Sequence, residues 1–170
     1  VTIDISGIKV TRGTPNNAQL IADFKNEQGN GENHTRMDVM MSFGEKSYLV
    51  AQSENDDVIG LLGWTVENLV TRMDDFFLKP GVPVDKAVHA IIVAVEEASQ
   101  DLQSEVGFIF LPPNTPPETL AAFQADDYAP TTLKEIKVPV WREAVKEKLE
   151  QGESHVLWKQ LRQDRVLQPI

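Results

Sequence analysis

The chain has 170 residues, a formal net charge of -10 and no cysteine. Its length favours a single domain with one core, and its 41% hydrophobic and 25% charged residues are typical of an ordinary soluble globular protein. The acidic balance argues against a nucleic-acid partner, and the lack of cysteine excludes disulfides, thiolate metal sites and cysteine nucleophiles. The lack of cysteine also favours a cytoplasmic protein. We expect no membrane partner, because no apolar run approaches the roughly 18 residues that span a bilayer.

The N-terminal half predicts two helices among short strands. Ile8–Val10 alternates as a strand does, and Thr14 with Pro15 is typical of a helix start. Residues 26–34 have turn composition, and Thr35 is a candidate cap for a second helical piece. Alternating and β-branched residues then predict three strands, at residues 47–52, 58–66 and 71–78.

The C-terminal half opens with the clearest helix of the chain, residues 85–102, whose apolar face predicts packing on a sheet. Further elements follow along the chain: a buried strand at 106–111, a short helix at 115–124, a strand at 130–138, and helices on either side of Gly152 with apolar positions that extend to Val166. We therefore divide the chain into a domain at 1–138 and a helical extension at 139–170. Trp141 and Trp158 predict that this extension packs on the domain or forms a homodimer.

The order of elements from Val58 to Tyr128 resembles the GCN5-related N-acetyltransferase (GNAT) superfamily of acyl-CoA N-acyltransferases. Five short matches carry the resemblance: Leu78-Lys79-Pro80 at the end of the fourth strand, Ile91-Ile92 and Glu96 in the long helix, Asn114 after the fifth strand, Phe123 where the family has a tyrosine, and Asp127-Tyr128 where it has Gly-Phe. The resemblance implies an α/β (α+β) fold with a mixed central sheet flanked by helices, here with a C-terminal helical extension.

The family's glycine-rich turn before the long helix corresponds to residues 83–88, none of which is glycine. Glycine lets backbone amides at a helix N-terminus approach the CoA pyrophosphate closely. Pro83 removes one donor and Asp85 places a carboxylate there, whereas Lys79 or Lys86 compensates in part. The alternative interpretation is that Asp85 only caps the helix in a turn that binds nothing.

The resemblance implies acetyl-CoA or another acyl-CoA as co-substrate, lying between the diverging fourth and fifth strands. The residues that it implies as CoA contacts are Phe77, Leu78, Lys79, Val84, Asp85, Lys86, Ala87, Val88, Asn114 and Phe123.

Acyl transfer to an amine needs a group that takes a proton from the attacking nitrogen and one that protonates the departing thiolate. Glu67, Asp74 and Asp75 are the candidate bases, of which Asp75 and Glu67 are preferred. Strand alternation predicts Asp75 on the face opposite to Asp74. Phe123 has no proton to give, so Tyr128 is the candidate acid. The alternatives are solvated carboxylates and a structural core tyrosine.

The predicted activity is acyl transfer from acyl-CoA to a small-molecule amine or a protein amine. No metal is expected, because His34, His89 and His155 do not have ligand spacing. One alternative is a catalytically degenerate GNAT-fold module that binds proteins or senses ligands, as the missing glycines suggest. Another is an unrelated α+β domain with a similar strand order.

Overall fold

The computed structural model describes residues 2–29 and 31–163. Its strands are β1 (Ile3–Ile5), β2 (Ile8–Arg12), β3 (Ser47–Gln52), β4 (Val58–Glu67), β5 (Val70–Leu78), β6 (Val106–Leu111), β7 (Ala129–Pro130) and β8 (His155–Gln160). Its α-helices are α1 (Ala18–Gln28), α2 (Arg36–Ser42), α3 (Val84–Asp101), α4 (Pro117–Ala125) and α5 (Pro139–Leu149).

The strands form one mixed sheet in the order β1-β2-β3-β4-β5-β6-β8-β7. All the pairings are antiparallel except that of β5 with β6, which are joined by α3. A parallel pair requires such a crossover connection, and a helix with one apolar face supplies it. The predicted α/β fold with a mixed central sheet is therefore present.

Helices cover both faces of the sheet. The main core lies between the sheet and α3 with α4, and includes Ile91, Ile109 and Phe123. On the opposite face, α1 and α2 pack over β3 and β4 through residues such as Ile21, and α5 packs over β6 through Trp141. Burial on both faces explains why all six residues of β6 are apolar or glycine.

Local signals placed most boundaries close to the observed ones. Thr35 caps α2 as predicted: its Oγ1 accepts a hydrogen bond from the Asp38 amide at 3.1 Å, and Asp38 accepts one from the Thr35 amide at 2.8 Å. The strand at 106–111 is observed with the predicted bounds, and α3 is displaced by one residue at each end.

The C-terminal prediction is wrong after α5. Residues 155–160 form β8, which pairs with β6 from Val106 to Leu111, so the second helix predicted for this segment is a strand of the central sheet. Val156 and Leu157 are buried on opposite faces, which is strand alternation. The strand predicted at 130–138 is also wrong: only Ala129–Pro130 pairs, and a short 3₁₀ turn follows. The predicted apolar position Val166 lies outside the described residues.

Candidate active site

A gap opens where the two parallel strands separate. Their pairing runs from Val70 opposite Val106 to Met73 opposite Ile109 and then stops, although β5 continues to Leu78 and β6 to Leu111. Among the described residues, the backbone of β5 beyond Met73 therefore has no pairing partner on this side. An extended ligand can lie in such a gap and bond to the free strand edge.

A bulge in β5 lies at the apex of this gap. Gly63 on β4 pairs with Asp74, and Leu61 pairs with Phe77, so one residue of β4 faces two of β5. Asp75 has a φ of 48°, a left-handed conformation that aspartate tolerates better than most residues. The bulge interrupts the alternation, so Asp74 and Asp75 project to the same side, which corrects the predicted separation of the two carboxylates.

Both carboxylates are held by basic and phenolic side chains from three other parts of the chain. We call the following residues the bulge cluster: Lys25 of α1, Lys46 and Tyr48 at the start of β3, Asp74 and Asp75 of β5, and Lys148 of α5. It lies on the sheet face that carries α1 and α5, opposite to α3.

The two aspartates differ in how many of their oxygens are occupied. Asp74 uses both: Lys46 donates to Oδ1 at 2.8 Å and to Oδ2 at 3.0 Å, and Lys148 also donates to Oδ2. Asp75 accepts only at Oδ2, from Tyr48 at 3.1 Å, Lys46 at 3.2 Å and Lys25 at 3.4 Å. Within the described part of the chain, Asp75 Oδ1 receives no hydrogen bond. Its lone pairs are available to a ligand.

Asp75 and Lys46 keep their charges at neutral pH. Burial acts to raise the pKa of Asp75, but Lys46 and Lys25, with hydrogen bonds from Lys46 and Tyr48, outweigh burial and hold that pKa below its usual value. Burial acts to lower the pKa of Lys46, and Asp75 and Asp74 outweigh it, so that pKa is raised. Burial and the charge of Asp75 raise the pKa of the Tyr48 phenol. Asp75 is therefore an anion beside a cationic lysine and a neutral phenol.

The lowered pKa of Asp75 has a consequence for acid stability. A carboxyl with a depressed pKa stabilises the folded state fully above its unfolded pKa of about 4, and this contribution is lost as the pH falls through the folded value. We expect Asp75→Asn to lower the free energy of unfolding by the same amount at pH 7 and pH 5, and by less below about pH 4. Urea unfolding of both proteins across this range measures the difference, with Asp101→Asn at an exposed position as control. A difference that already shrinks between pH 7 and pH 5 would contradict the lowered pKa.

Unpaired backbone donors lie at the N-terminus of α3 among the described residues. Pro83 is the residue before the helix, and the first helical bond runs from the Ala87 amide to the Pro83 carbonyl at 3.1 Å. The amides of Val84, Asp85 and Lys86 thus have no acceptor among the described residues. Of the predicted amide contacts at 84–88, these three are free, whereas those of Ala87 and Val88 are used inside the helix.

At the end of β5, within the described residues, one backbone amide is hydrogen-bonded and its neighbour is free. The Lys79 amide donates to Ile59 of β4 at 2.8 Å, so it is not free for a ligand. Since amide directions alternate along a strand, the Leu78 amide points away from β4 and toward the gap.

The α3 side of the gap is apolar. Phe76 of β5 contacts Phe123 of α4 edge to face, with ring centroids 5.2 Å apart, and Phe123 and Leu111 are fully buried. Asn114 lies in the exposed loop that follows β6, and its side chain has no hydrogen bond within the described residues. The loop thus presents a free amide side chain after the apolar strand β6.

Two predicted site residues lie away from the gap. Glu67 pairs with Val70 at the far end of β5, roughly 16 Å from Asp75 at about 3.3 Å per residue, and is ion-paired with Arg72 at 3.5 Å. Its side chain is exposed. The structure therefore does not bring Glu67 and Asp75 together.

Tyr128 is buried beside Gly107, on the paired side of the apex. Its hydroxyl donates to Glu96 at 3.0 Å, and Glu96 is also ion-paired with Lys159. Burial, followed by the charge of Glu96, raises the pKa of Tyr128 far above its usual value. The geometry matches the structural alternative and not a group that gives up a proton to a thiolate.

Sequence reasoning missed Lys25, Lys46, Tyr48 and Lys148, which surround the two aspartates. The contacts span from 27 to 74 residues along the chain, and no local motif encodes them. No helix of the described residues is long and apolar enough to cross a membrane. In the same residues, no group of three or more histidine, aspartate or glutamate side chains is placed to hold a metal ion.

Solved structures of other proteins share this architecture. No family model and no curated protein sequence matches the chain. Solved structures do: a GNAT superfamily phosphinothricin acetyltransferase from Sinorhizobium meliloti, in complex with acetyl-CoA, has a TM-score of 0.69 at 11% identity, over 96% of this chain and 94% of that one. A putative acetyltransferase from Salmonella typhimurium, with acetyl-CoA, has a TM-score of 0.66 at 8% identity over 94% and 96%. An acetyltransferase of the GNAT family from Staphylococcus aureus has a TM-score of 0.62 at 10% identity over 91% and 99%. The chain therefore has the fold of the GNAT acetyltransferases.

Proposed function

We propose that the protein is an N-acyltransferase that moves an acetyl or other acyl group from acyl-CoA to an amine. The observation that carries the proposal is the gap between β5 and β6, which opens beside the free amides at the N-terminus of α3. Neighbours with this fold were solved with acetyl-CoA, which supports a CoA thioester as the acyl donor.

The residues around the gap fit such a donor. The amides of Val84, Asp85 and Lys86 are placed for an anionic pyrophosphate, because a helix N-terminus favours negative charge. The Leu78 amide and the Asn114 side chain lie where the polar groups of a pantetheine arm would need them, with the half-buried Phe76 against its apolar parts and the fully buried Phe123 behind Phe76. The bound thioester supplies the electrophilic carbonyl, while the chain's own residues position the amine.

The amine has to approach from the face opposite to α3. If the donor occupies the α3 side of the gap, the opposite side of the apex, which carries the bulge cluster, is left for the acceptor. Asp75 Oδ1 is the free acceptor atom there, so Asp75 is the residue that we propose to orient the amine and take up its proton.

The proposal is tested by calorimetry with acetyl-CoA and free CoA on the wild type and on Asn114→Ala. Asn114 is exposed and makes no side-chain hydrogen bond within the described residues, so its loss should leave the fold intact. We expect binding that weakens about two- to tenfold in the variant, the value of one hydrogen bond. Absence of binding by either ligand to the wild type would overturn the transferase assignment.

A second prediction uses the charge at the α3 N-terminus. The Asp85 carboxylate is exposed in the first turn, where it repels a pyrophosphate. We expect Asp85→Asn to bind CoA about two- to fivefold more tightly, and Lys86→Gln to bind it more weakly by a similar factor. Calorimetry at low and high salt measures both effects, which should shrink as salt screens them. Pantetheine, which lacks the phosphates, is the control ligand and should bind all three proteins equally.

The alternative of a degenerate protein-binding module is not favoured. Trp141, which the sequence offers as an interface residue, and Val145 of α5 are buried against the sheet. Although the turn before α3 has no glycine, three amides in the first turn of the helix are still without an acceptor among the described residues.

A further inference from the structure

The bulge cluster carries an excess of positive charge in a protein that is acidic overall. It contains three lysines and two aspartates, a formal charge of +1 within a chain of -10. Its lysine side chains are only 10 to 23% exposed. A cation that is largely removed from water needs an anionic partner.

Lys25 is the least satisfied of these cations. Its side chain is 10% exposed, and its contacts within the described residues are Asp75 Oδ2 at 3.4 Å and the ring of Tyr48 at 5.7 Å. The same oxygen of Asp75 is shared with Lys46 and Tyr48 at shorter distances. An ammonium has three N–H donors, so Lys25 retains donors for a further acceptor.

Asp75, next to Lys25, has an acceptor atom without a donor among the described residues. Asp75 Oδ1 has free lone pairs, while its Oδ2 accepts three donors. A free donor and a free acceptor on adjacent, oppositely charged residues match a ligand that carries an ammonium and a carboxylate close together. An α-amino acid has this arrangement, whereas a diamine or the ε-amine of a protein lysine does not.

We propose that the acceptor is an amine with a neighbouring carboxylate, such as a free amino acid, whose carboxylate binds Lys25 while its ammonium binds Asp75 Oδ1. This inference rests on the proposed function. In the reaction, the ammonium gives one proton to Asp75 or to water, and the neutral nitrogen attacks the acyl carbon. The carbon–sulfur bond breaks as the amide bond forms, and the second proton that the nitrogen loses protonates the departing thiolate, so that CoA leaves as its thiol.

The test compares amines with and without a neighbouring carboxylate. The release of CoA thiol is measured with acetyl-CoA and a panel of free L-amino acids, the matching amino-acid amides, and putrescine. We expect kcat/KM for the best free acid to exceed that of its amide by about tenfold or more, the value of a charge-assisted hydrogen bond. An amide or putrescine used as well as the acid would overturn the inference.

Variants assign the preference to Lys25. Lys25→Gln should reduce the acid-to-amide ratio to about one, and Lys25→Arg, which keeps the charge, should retain the preference. Lys9→Gln removes an exposed lysine paired with Asp56 and should leave the ratio unchanged. A ratio unaltered in Lys25→Gln would overturn the role of Lys25.

Binding of acetyl-CoA separates this inference from the proposed function. Bound acetyl-CoA with turnover of putrescine but of no acid would overturn the acceptor class and leave the transferase standing. No binding of acetyl-CoA would overturn both.

Discussion

Replacing Trp141 by alanine is expected to lower the free energy of unfolding by about 3 to 5 kcal/mol, the usual cost of removing a large aromatic side chain from a core. Trp141 is 6% exposed, lies 6.3 Å from Trp158 between ring centroids, and shares its cluster with Phe108 and Val145. It fixes α5 to the same part of the sheet that β8 completes. Urea unfolding followed by far-UV circular dichroism measures the change.

The same variant decides between intramolecular packing and the homodimer that the sequence suggested. If Trp141 packs within the chain, the urea midpoint of the variant and of the wild type will not depend on protein concentration. A midpoint that rises with concentration in the wild type alone would instead place Trp141 in a subunit interface. Leu102→Ala is the control, because Leu102 is 52% exposed and its truncation should change the stability by less than about 0.5 kcal/mol.

The core of the fold could be predicted because its signals are local. An apolar stripe specifies α3, an unbroken apolar run specifies β6, and Thr35 specifies the start of α2. The C-terminal strand could not be predicted in this way. Residues 155–160 read His-Val-Leu-Trp-Lys-Gln, and a run this short fits the helical and the strand period equally well. Pairing with the edge of β6, about fifty residues away along the chain, makes it a strand.

The candidate site was predicted in part for a similar reason. The helix N-terminus and Asp75 could be located from the motif order, because they lie within a continuous stretch of the chain. The lysines could not, since they reach Asp74 and Asp75 only after a bulge places both carboxylates on one face. A β-bulge has no reliable sequence signal, and an aspartate in a left-handed conformation is evident only in the structure.

Asp75→Asn is expected to reduce the turnover of acetyl-CoA with an amine by about 10²-fold or more, the typical contribution of a positioned acid or base. Asparagine also tolerates the left-handed backbone of the bulge, so the geometry of β5 should persist. It lacks the negative charge that would hold an ammonium at Oδ1. The affinity for CoA should stay unchanged, because the proposed pyrophosphate site is at the other end of the gap.

Asp74→Asn is the matched comparison, since the two aspartates are adjacent and share Lys46. Both oxygens of Asp74 are already occupied by lysines, so it has no free atom for a substrate, and its replacement should lower stability more than turnover. Steady-state kinetics and urea unfolding of both variants separate the two effects. If the two variants lost turnover equally, the cluster would act as a unit, and Asp75 would have no special role as the acceptor of the amine's proton.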